Sequence, residues 1–232
     1  MKGLLTLVPT PIDDDSPLEQ SAFTKLNEAV SENQIIVVEE AKTCRRRWLK
    51  WGLPREAIEK FVLYNEHTSA EEAPRLLKEM NKGNSVYLLS DCGLPAFCDP
   101  GRLLVELCHQ SAIQVTATPF PNSISLAVAL SGFPHDRFIF EGFIPARGAQ
   151  RSKELKRIMS QKEVSVLMDT PYRLESLLKE MKKEMKEIKG QREVFLAMEL
   201  NKKGEKLLRA PLENIQPPKE KAEFILILGA KS

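Results

Sequence analysis

Ser90-Asp91-Cys92-Gly93-Leu94-Pro95-Ala96-Phe97-Cys98-Asp99-Pro100-Gly101 follows the strand-like run Ser85 to Ser90 and precedes a stretch of helical period. Two prolines, two glycines and two aspartates fix a loop. Its place at a strand's carboxyl end is where open α/β sheets put ligands. On a purely structural reading Asp99, just before Pro100, caps the following helix. Asp91 is harder to reduce to a turn residue, because an acid at a strand end beside the permissive Gly93 can accept hydrogen bonds from a ligand's hydroxyl or amine.

Outward from this loop, short β-branched or leucine-rich runs alternate with amphipathic segments, which predicts an α/β fold with a largely parallel sheet and crossover helices. In the first half the strand candidates are Gly3 to Val8, Gln34 to Glu39, Phe61 to Tyr64, Ser85 to Ser90 and Ile113 to Ala117. Ser16, Pro17 and Glu19 read as cap, first turn and capping-box acid of a helix. Thr68-Ser69-Ala70-Glu71-Glu72 opens another, which ends before Gly83. The stretch from Thr118 to Ser125, with two prolines and an asparagine, predicts a boundary between an N-terminal α/β domain, 1–117, and a C-terminal α/β domain, 118–232. The second half offers strands Arg137 to Glu141, Val164 to Met168, Glu193 to Met198 and Glu223 to Leu228, with helices near Ser152 to Ser160 and Tyr172 to Ile188. Its connections are less regular, and the final strand can pair antiparallel with its neighbours.

The composition suits a folded, core-forming chain: 232 residues, 42% hydrophobic and 28% charged, which excludes global disorder. Lys and Arg number 34 against 32 Asp and Glu, so no overall field draws the chain to nucleic acid or an anionic membrane. The distribution is uneven. Pro145 to Gly190 carries 12 basic and 7 acidic residues, 12 − 7 = +5, leaving 2 − 5 = −3 for the rest. The helix KEMKKEMKEIK alternates in sign and reads as a solvated face. Arg147, Arg151, Lys153, Lys156 and Arg157, with few acids between them, are the better phosphate contacts. No Gly-x-Gly occurs, and no Gly-Lys precedes Ser or Thr, so neither a Rossmann fingerprint nor a Walker A loop is present. Four cysteines without a C-x-x-C pair and three scattered histidines predict reduced thiols in a cytoplasmic protein and no metal site. MKGLLTLVPTPIDDDS reads as a first strand rather than a signal peptide, and no apolar run reaches the ~20 residues a membrane span needs.

The opening loop resembles the S-D-A-G-T-P-x-x-S-D-P-G segment of the bacterial 16S rRNA 2'-O-ribose methyltransferases, members of the tetrapyrrole-methylase superfamily. Further matches follow in the same order. VPTPI at Val8 to Ile12 resembles V-P-T-P-I-G-N, and Val38 to Gly52 resembles the A-E-D-T-R-x-T-x-x-L-L region. YNEHTSAE at Tyr64 to Glu71 resembles Y-H-E-H-N-E, and Ser131 to Pro145 is similar to S-G-L-P-T-D-R-F-x-F-E-G-F-L-P. DTPYRL at Asp169 to Leu174 resembles E-S-P-H-R-L, Ala197 to Arg209 resembles A-R-E-L-T-K-x-x-E-x-x-x-R, and AEFILIL resembles G-E-F-V-L-V. The resemblance implies a class III methyltransferase fold of two α/β domains, with S-adenosylmethionine in the cleft between them and a homodimer as the working unit. It also accounts for the missing glycine fingerprint, because that class does not use the Rossmann cofactor loop. Carried over by position, the cofactor would touch Pro9 and Pro11, the loop residues Asp91, Cys92, Gly93 and Pro95, then Pro121 and Ser123, Phe140 and Gly142, and the strand edge at Ala197 and Met198. The chain departs from the pattern in four places. Asp13-Asp14-Asp15 replaces Gly-Asn, Glu39-Glu40-Ala41-Lys42 replaces the Glu-Asp-Thr-Arg core, Pro119-Phe120-Pro121-Asn122 lacks the glycine of P-G-P-S-A, and Asn65 replaces a histidine.

Methyl transfer to a hydroxyl is an in-line displacement that relies on positioning and needs a base for the hydroxyl proton. The matched segments offer Glu40, Glu66, His67, Glu141 and Glu199 as bases, although His67 serves equally as a local helix-preceding partner. Arg137, Arg147, Arg151, Lys153 and Arg173 are the substrate-RNA contacts, with Arg137 and Arg173 otherwise pairing with Asp136 and Asp169. The expected partner is the small ribosomal subunit or its 16S rRNA. The alternatives are a small tetrapyrrole-like acceptor and a non-catalytic RNA-binding relic, the latter suggested by the three aspartates.

Overall fold

The computed structural model describes residues 1–120, 122–188, 191–216 and 221–231, in two compact units, Met1–Phe120 and Pro121–Ser232. The split falls just past the expected 117/118 boundary, because Thr118 still donates its N–H to the Leu7 carbonyl at 3.0 Å.

The first unit is built on strands β1 (Leu5–Val8), β2 (Ile35–Val38), β3 (Val62–Leu63), β4 (Val86–Leu89) and β5 (Val115–Ala117), in the order β3-β2-β4-β1-β5. Every pairing is parallel. Strands such as IIVV and VYLL are apolar throughout because helices cover both faces. Helices α1 (Gln20–Ser31) and α2 (Ala41–Lys50) bury Leu26 and Trp48 against Ile36 and Val38. On the opposite face α3 (Ser69–Asn81) and α4 (Arg102–Gln110) bury Leu76 and Leu104 against Val37 and Leu88. The chain therefore leaves β1 toward one face and β4 toward the other. Adjacent strands whose exits diverge open a crevice at their carboxyl ends, the switch point of such sheets.

Two expected caps are placed differently. The Asp13 carboxylate accepts from the N–H and hydroxyl of Ser16, so Ser16 is spent in a turn. The first helix begins at Gln20 with Glu19 as its cap, accepting from the Ala22 N–H at 2.9 Å. Asp99 does not cap α4 either. Gly101, at φ 133°, occupies that position, where a side chain would clash with Leu88 and Ala96.

The second unit contains α5 (Ser123–Ser131), β6 (Phe138–Phe143), α6 (Ala149–Ser160), β7 (Val164–Met168), α7 (Leu174–Ile188), β8 (Glu193–Met198), β9 (Lys206–Pro211) and β10 (Phe224–Leu228). Its sheet runs β6-β7-β10-β8-β9, with β6 and β7 parallel and β10 antiparallel to both neighbours. Strand β9 escapes the sequence reading. It lies at an edge with Leu207 and Leu208 both exposed, so KLLRAP has no apolar alternation, and only pairing to β8 makes it a strand. Arg192, just before β8, is buried without an acid. Its guanidinium donates to the carbonyls of Ile158, Met159, Gln161, Glu163 and Gly229. It thus caps the end of α6 and joins the strand ends around it. Burial pulls its pKa down to about 10, which leaves it charged.

Candidate active site

At the switch point the loops after β1 and β4 are joined directly. Thr10 and Gly93 exchange backbone hydrogen bonds of 2.9 and 3.0 Å, and the Ser90 hydroxyl donates to the Gly93 carbonyl at 2.8 Å. Arg47 of α2 reaches in behind them. Its side chain is 5% exposed, and its guanidinium donates to the carbonyls of Asp91, Pro11 and Asp13. One cation thus fixes both loops, a role the sequence reading missed. The trace it left is positional: Arg47 falls on the Cys44 and Trp48 stripe that α2 buries, where an apolar residue is the ordinary choice.

Three carboxylates gather at this point. The Asp91 N–H donates to Glu39 and the Glu40 N–H donates to Asp91, both at 3.2 Å. Burial, reinforced by the charge of Glu39, pushes Asp91 up to about 6. Burial and the charges of Glu39 and Asp91 push Asp99 up to about 7. Arg47 spends its donors on carbonyls and does little to offset them. S-adenosylmethionine carries a sulfonium, an ammonium and a ribose diol, so a half-buried carboxylate group short of cations suits it. Gly93, at φ 78°, leaves the loop open, since a Cβ placed there would meet nothing within 4 Å. Pro9 and Pro95 are buried, Pro11 is half-buried and Cys92 is exposed.

Asp13, Asp14 and Asp15 stand close by in sequence but are engaged elsewhere. Asp13 closes its own turn, Asp14 pairs with Arg46 at 2.7 Å, and Asp15 pairs with Lys50 at 2.8 Å. The residues that replace Gly-Asn are therefore matched by a basic ridge on α2.

The candidate bases are placed as follows. Glu40 caps α2, accepting from the N–H groups of Lys42 and Thr43, and the Thr43 side chain together with these amides holds its carboxyl below its ordinary value. Glu66 and His67 are over 80% exposed and face each other at 3.4 Å. Glu141 sits in a β-bulge ahead of Gly142, whose φ of 63° the bulge requires, and it is ion-paired with Arg157. Glu199 accepts from the Glu223 N–H at 2.6 Å.

In the second unit Ser123 opens α5 behind the cap Asn122, Phe140 is half-buried, and Pro121 lies outside the described residues. Ala197 and Met198 are buried on opposite faces of β8, paired on both sides by β10 and β9. Of the basic residues, Arg151 is buried against Asp169 and Glu180, at 3.1 and 2.6 Å. Arg173 also pairs with Asp169, Lys156 with Glu187 and Arg157 with Glu141 and Glu154. Arg137, Arg147 and Lys153 are exposed. Arg137 precedes β6 while Arg147 follows it, so the strand separates them by roughly 20 Å at ~3.3 Å per residue.

Among the described residues no group of His, Cys, Asp and Glu is arranged to hold a metal, and no helix is long and apolar enough to cross a membrane.

Residues 22–216 match the family described as Tetrapyrrole (Corrin/Porphyrin) Methylases. A Thermotoga maritima protein named ribosomal RNA small subunit methyltransferase I is 33% identical over 179 residues, 77% of each chain. The Pseudomonas aeruginosa protein of that name is 31% identical over 182 residues, 78% of this chain but 61% of its own. Among solved structures, a diphthine synthase aligns over 98% of this chain and 90% of its own, with a TM-score of 0.66 at 17% identity. A Thermus thermophilus uroporphyrin-III C-methyltransferase complexed with S-adenosyl homocysteine aligns over 98% and 97%, with a TM-score of 0.57 at 20% identity. At those identities the likeness is one of fold. By the family match and the identity to its relatives, the chain belongs to the tetrapyrrole methylase family.

Proposed function

We propose that the chain transfers the methyl group of S-adenosylmethionine to a ribose 2'-hydroxyl of small-subunit ribosomal RNA, as a cytoplasmic homodimer. The observation that carries this reading is the 33% identity, over 77% of both chains, to a protein named as a methyltransferase of small-subunit ribosomal RNA. Once bound, S-adenosylmethionine would supply an electrophilic methyl, whose transfer from sulfur to the hydroxyl oxygen would leave a thioether and require a base for the hydroxyl proton. Everything else falls to positioning by the protein. In our reading Asp91, anchored by the Glu40 N–H, takes a cationic or hydroxyl group of the cofactor, with Pro9, Pro11, Gly93 and Pro95 as the walls around it. Glu40, Glu141 and Glu199 have their carboxylates occupied, and Glu66 and His67 stand in solvent. Asp99, whose pKa burial and the charges of Glu39 and Asp91 raise to about 7, is in its ionised form the better proton acceptor, since a base works best with a pKa close to the working pH.

The test is incubation with methyl-labelled cofactor and small ribosomal subunits lacking the modification. Label in the RNA, resistant to base removal and lost on ribose methylation in advance, is expected. Label recovered only in small molecules would refute the RNA acceptor, and absence of cofactor binding in a calorimetric titration would leave only an RNA-binding relic.

A further inference from the structure

We propose that the loops after β6 and β7 form a platform for single-stranded RNA, on which Phe143 and Tyr172 stack bases while Arg147, Lys153 and Lys221 hold the backbone. This deepens the RNA reading above and rests on it. The two strands are parallel neighbours whose ladder ends at Phe143 opposite Met168, so the loops leave the sheet side by side. A buried cation ties them. Arg151 donates to the Pro145 carbonyl at 3.0 Å and pairs with Asp169, which in turn holds Arg173 at 2.6 Å and accepts from the Thr170 N–H at 2.8 Å. The platform is thus ordered in advance, which removes part of the entropic penalty of binding.

Its surface has the chemistry of a nucleic-acid contact. Large aromatic side chains are normally covered, yet Phe143 is 50% and Tyr172 is 73% exposed. The Lys221 ammonium lies 4.3 Å from the Tyr172 ring centroid, placing a cation beside an otherwise open ring. Arg147 and Lys153 are exposed, and the acids on and beside these two loops are matched by other cations: Asp169 and Glu180 by Arg151, Glu175 by Lys179, Glu141 and Glu154 by Arg157. Exposed rings on the same loops as cations that have no ion pair among the described residues suit unstacked bases and phosphates, which a duplex does not present together.

The test is an anisotropy titration of the full chain with a labelled single-stranded RNA and with the same strand annealed to its complement. The single strand should bind more tightly, Tyr172→Ala should weaken it about tenfold, and Tyr172→Phe should restore it. Arg147→Glu should weaken binding and flatten its salt dependence. Calorimetry of Tyr172→Ala with S-adenosylmethionine should match the wild type, which separates the loss from any misfolding. Unchanged RNA binding by Tyr172→Ala, or preference for the duplex, would overturn the platform. The two readings fail separately: a wild-type protein that does not label ribosomal subunits overturns the RNA acceptor, whereas a wild type that labels them and a Tyr172→Ala variant with unchanged KM overturn the platform alone. Self-association abolished by Phe143→Arg, with RNA binding intact, would assign the patch to copies of the chain instead.

Discussion

The first unit holds two acidic groups within one loop system, and they are managed in opposite ways. Asp13, Asp14 and Asp15 are consecutive and solvated, and each is matched by a local hydrogen bond or by a cation of α2. Glu39, Asp91 and Asp99 come from three places in the chain, are partly withdrawn from water and, among the described residues, have no ion-paired cation, so burial and their mutual charge raise the pKa of Asp91 and Asp99. Charge density in the sequence therefore points to the wrong cluster. The second cluster, whose carboxylates have no ion-paired cation among the described residues, is the one we propose for the ligand. Arg47 stands between the two groups, and by binding carbonyls it fixes the geometry of both without neutralising the second.

The sharpest way to break this contrast is Arg47→Met, which leaves three inward carbonyls without their donor. It should cost about 3 kcal/mol of stability, read as a lower denaturation midpoint, and weaken cofactor affinity more than tenfold in calorimetry. Affinity unchanged in a folded variant would show that the loops do not depend on Arg47. Next, Asp91→Ala should weaken cofactor binding about tenfold, the scale of a charge-assisted hydrogen bond. Cofactor affinity of the wild type should also fall as pH drops from 8 to 5.5. The sign follows from the carboxyls: free Asp91 and Asp99 protonate near 6 and 7, a cationic ligand prefers them ionised, and binding must then release protons. An affinity flat over that range would remove both from the ligand's surroundings. The same raised values make the ionised forms a burden on the fold above neutrality, so Asp99→Asn should stabilise the protein at pH 8, by no more than about 1 kcal/mol given partial solvent screening, and the gain should shrink by pH 5. The smallest effect belongs to Asp14→Asn. Its pair with Arg46 is solvent-exposed, and we expect a change within about 0.5 kcal/mol and cofactor affinity equal to the wild type.

The sequence reading was strongest where burial on two faces writes itself as a run of apolar residues, as in β2, β4 and β10, and where prolines and glycines punctuate the Ser90 to Gly101 loop. It was weakest where a residue's role is decided by a distant partner. Ser16 looks like a cap until Asp13 takes it. The three aspartates look like exposed acid near a cleft until α2 supplies Arg46 and Lys50. Arg151 reads as a phosphate contact, yet Asp169 and Glu180 bury it. Arg47 and Arg192 look like surface charge, because nothing local shows that they reach carbonyls 29 to 44 residues away. In each case the information lies in long-range hydrogen bonding, which periodicity does not record.

The place of β10 in the sheet has a consequence for how the chain is made. The parallel sheet of the first unit is complete once β5 has been synthesised, so that unit can close while translation continues. In the second unit the strand that joins β7 to β8 comes after both of them and after β9. Two strand pairs, β6-β7 and β8-β9, must wait with apolar edges open until that segment leaves the ribosome, and Arg192 finds the Gly229 carbonyl only then. The interval between emergence of β8 and arrival of β10 is the moment when this protein is most exposed to aggregation, and the one in which a chaperone would have most to do.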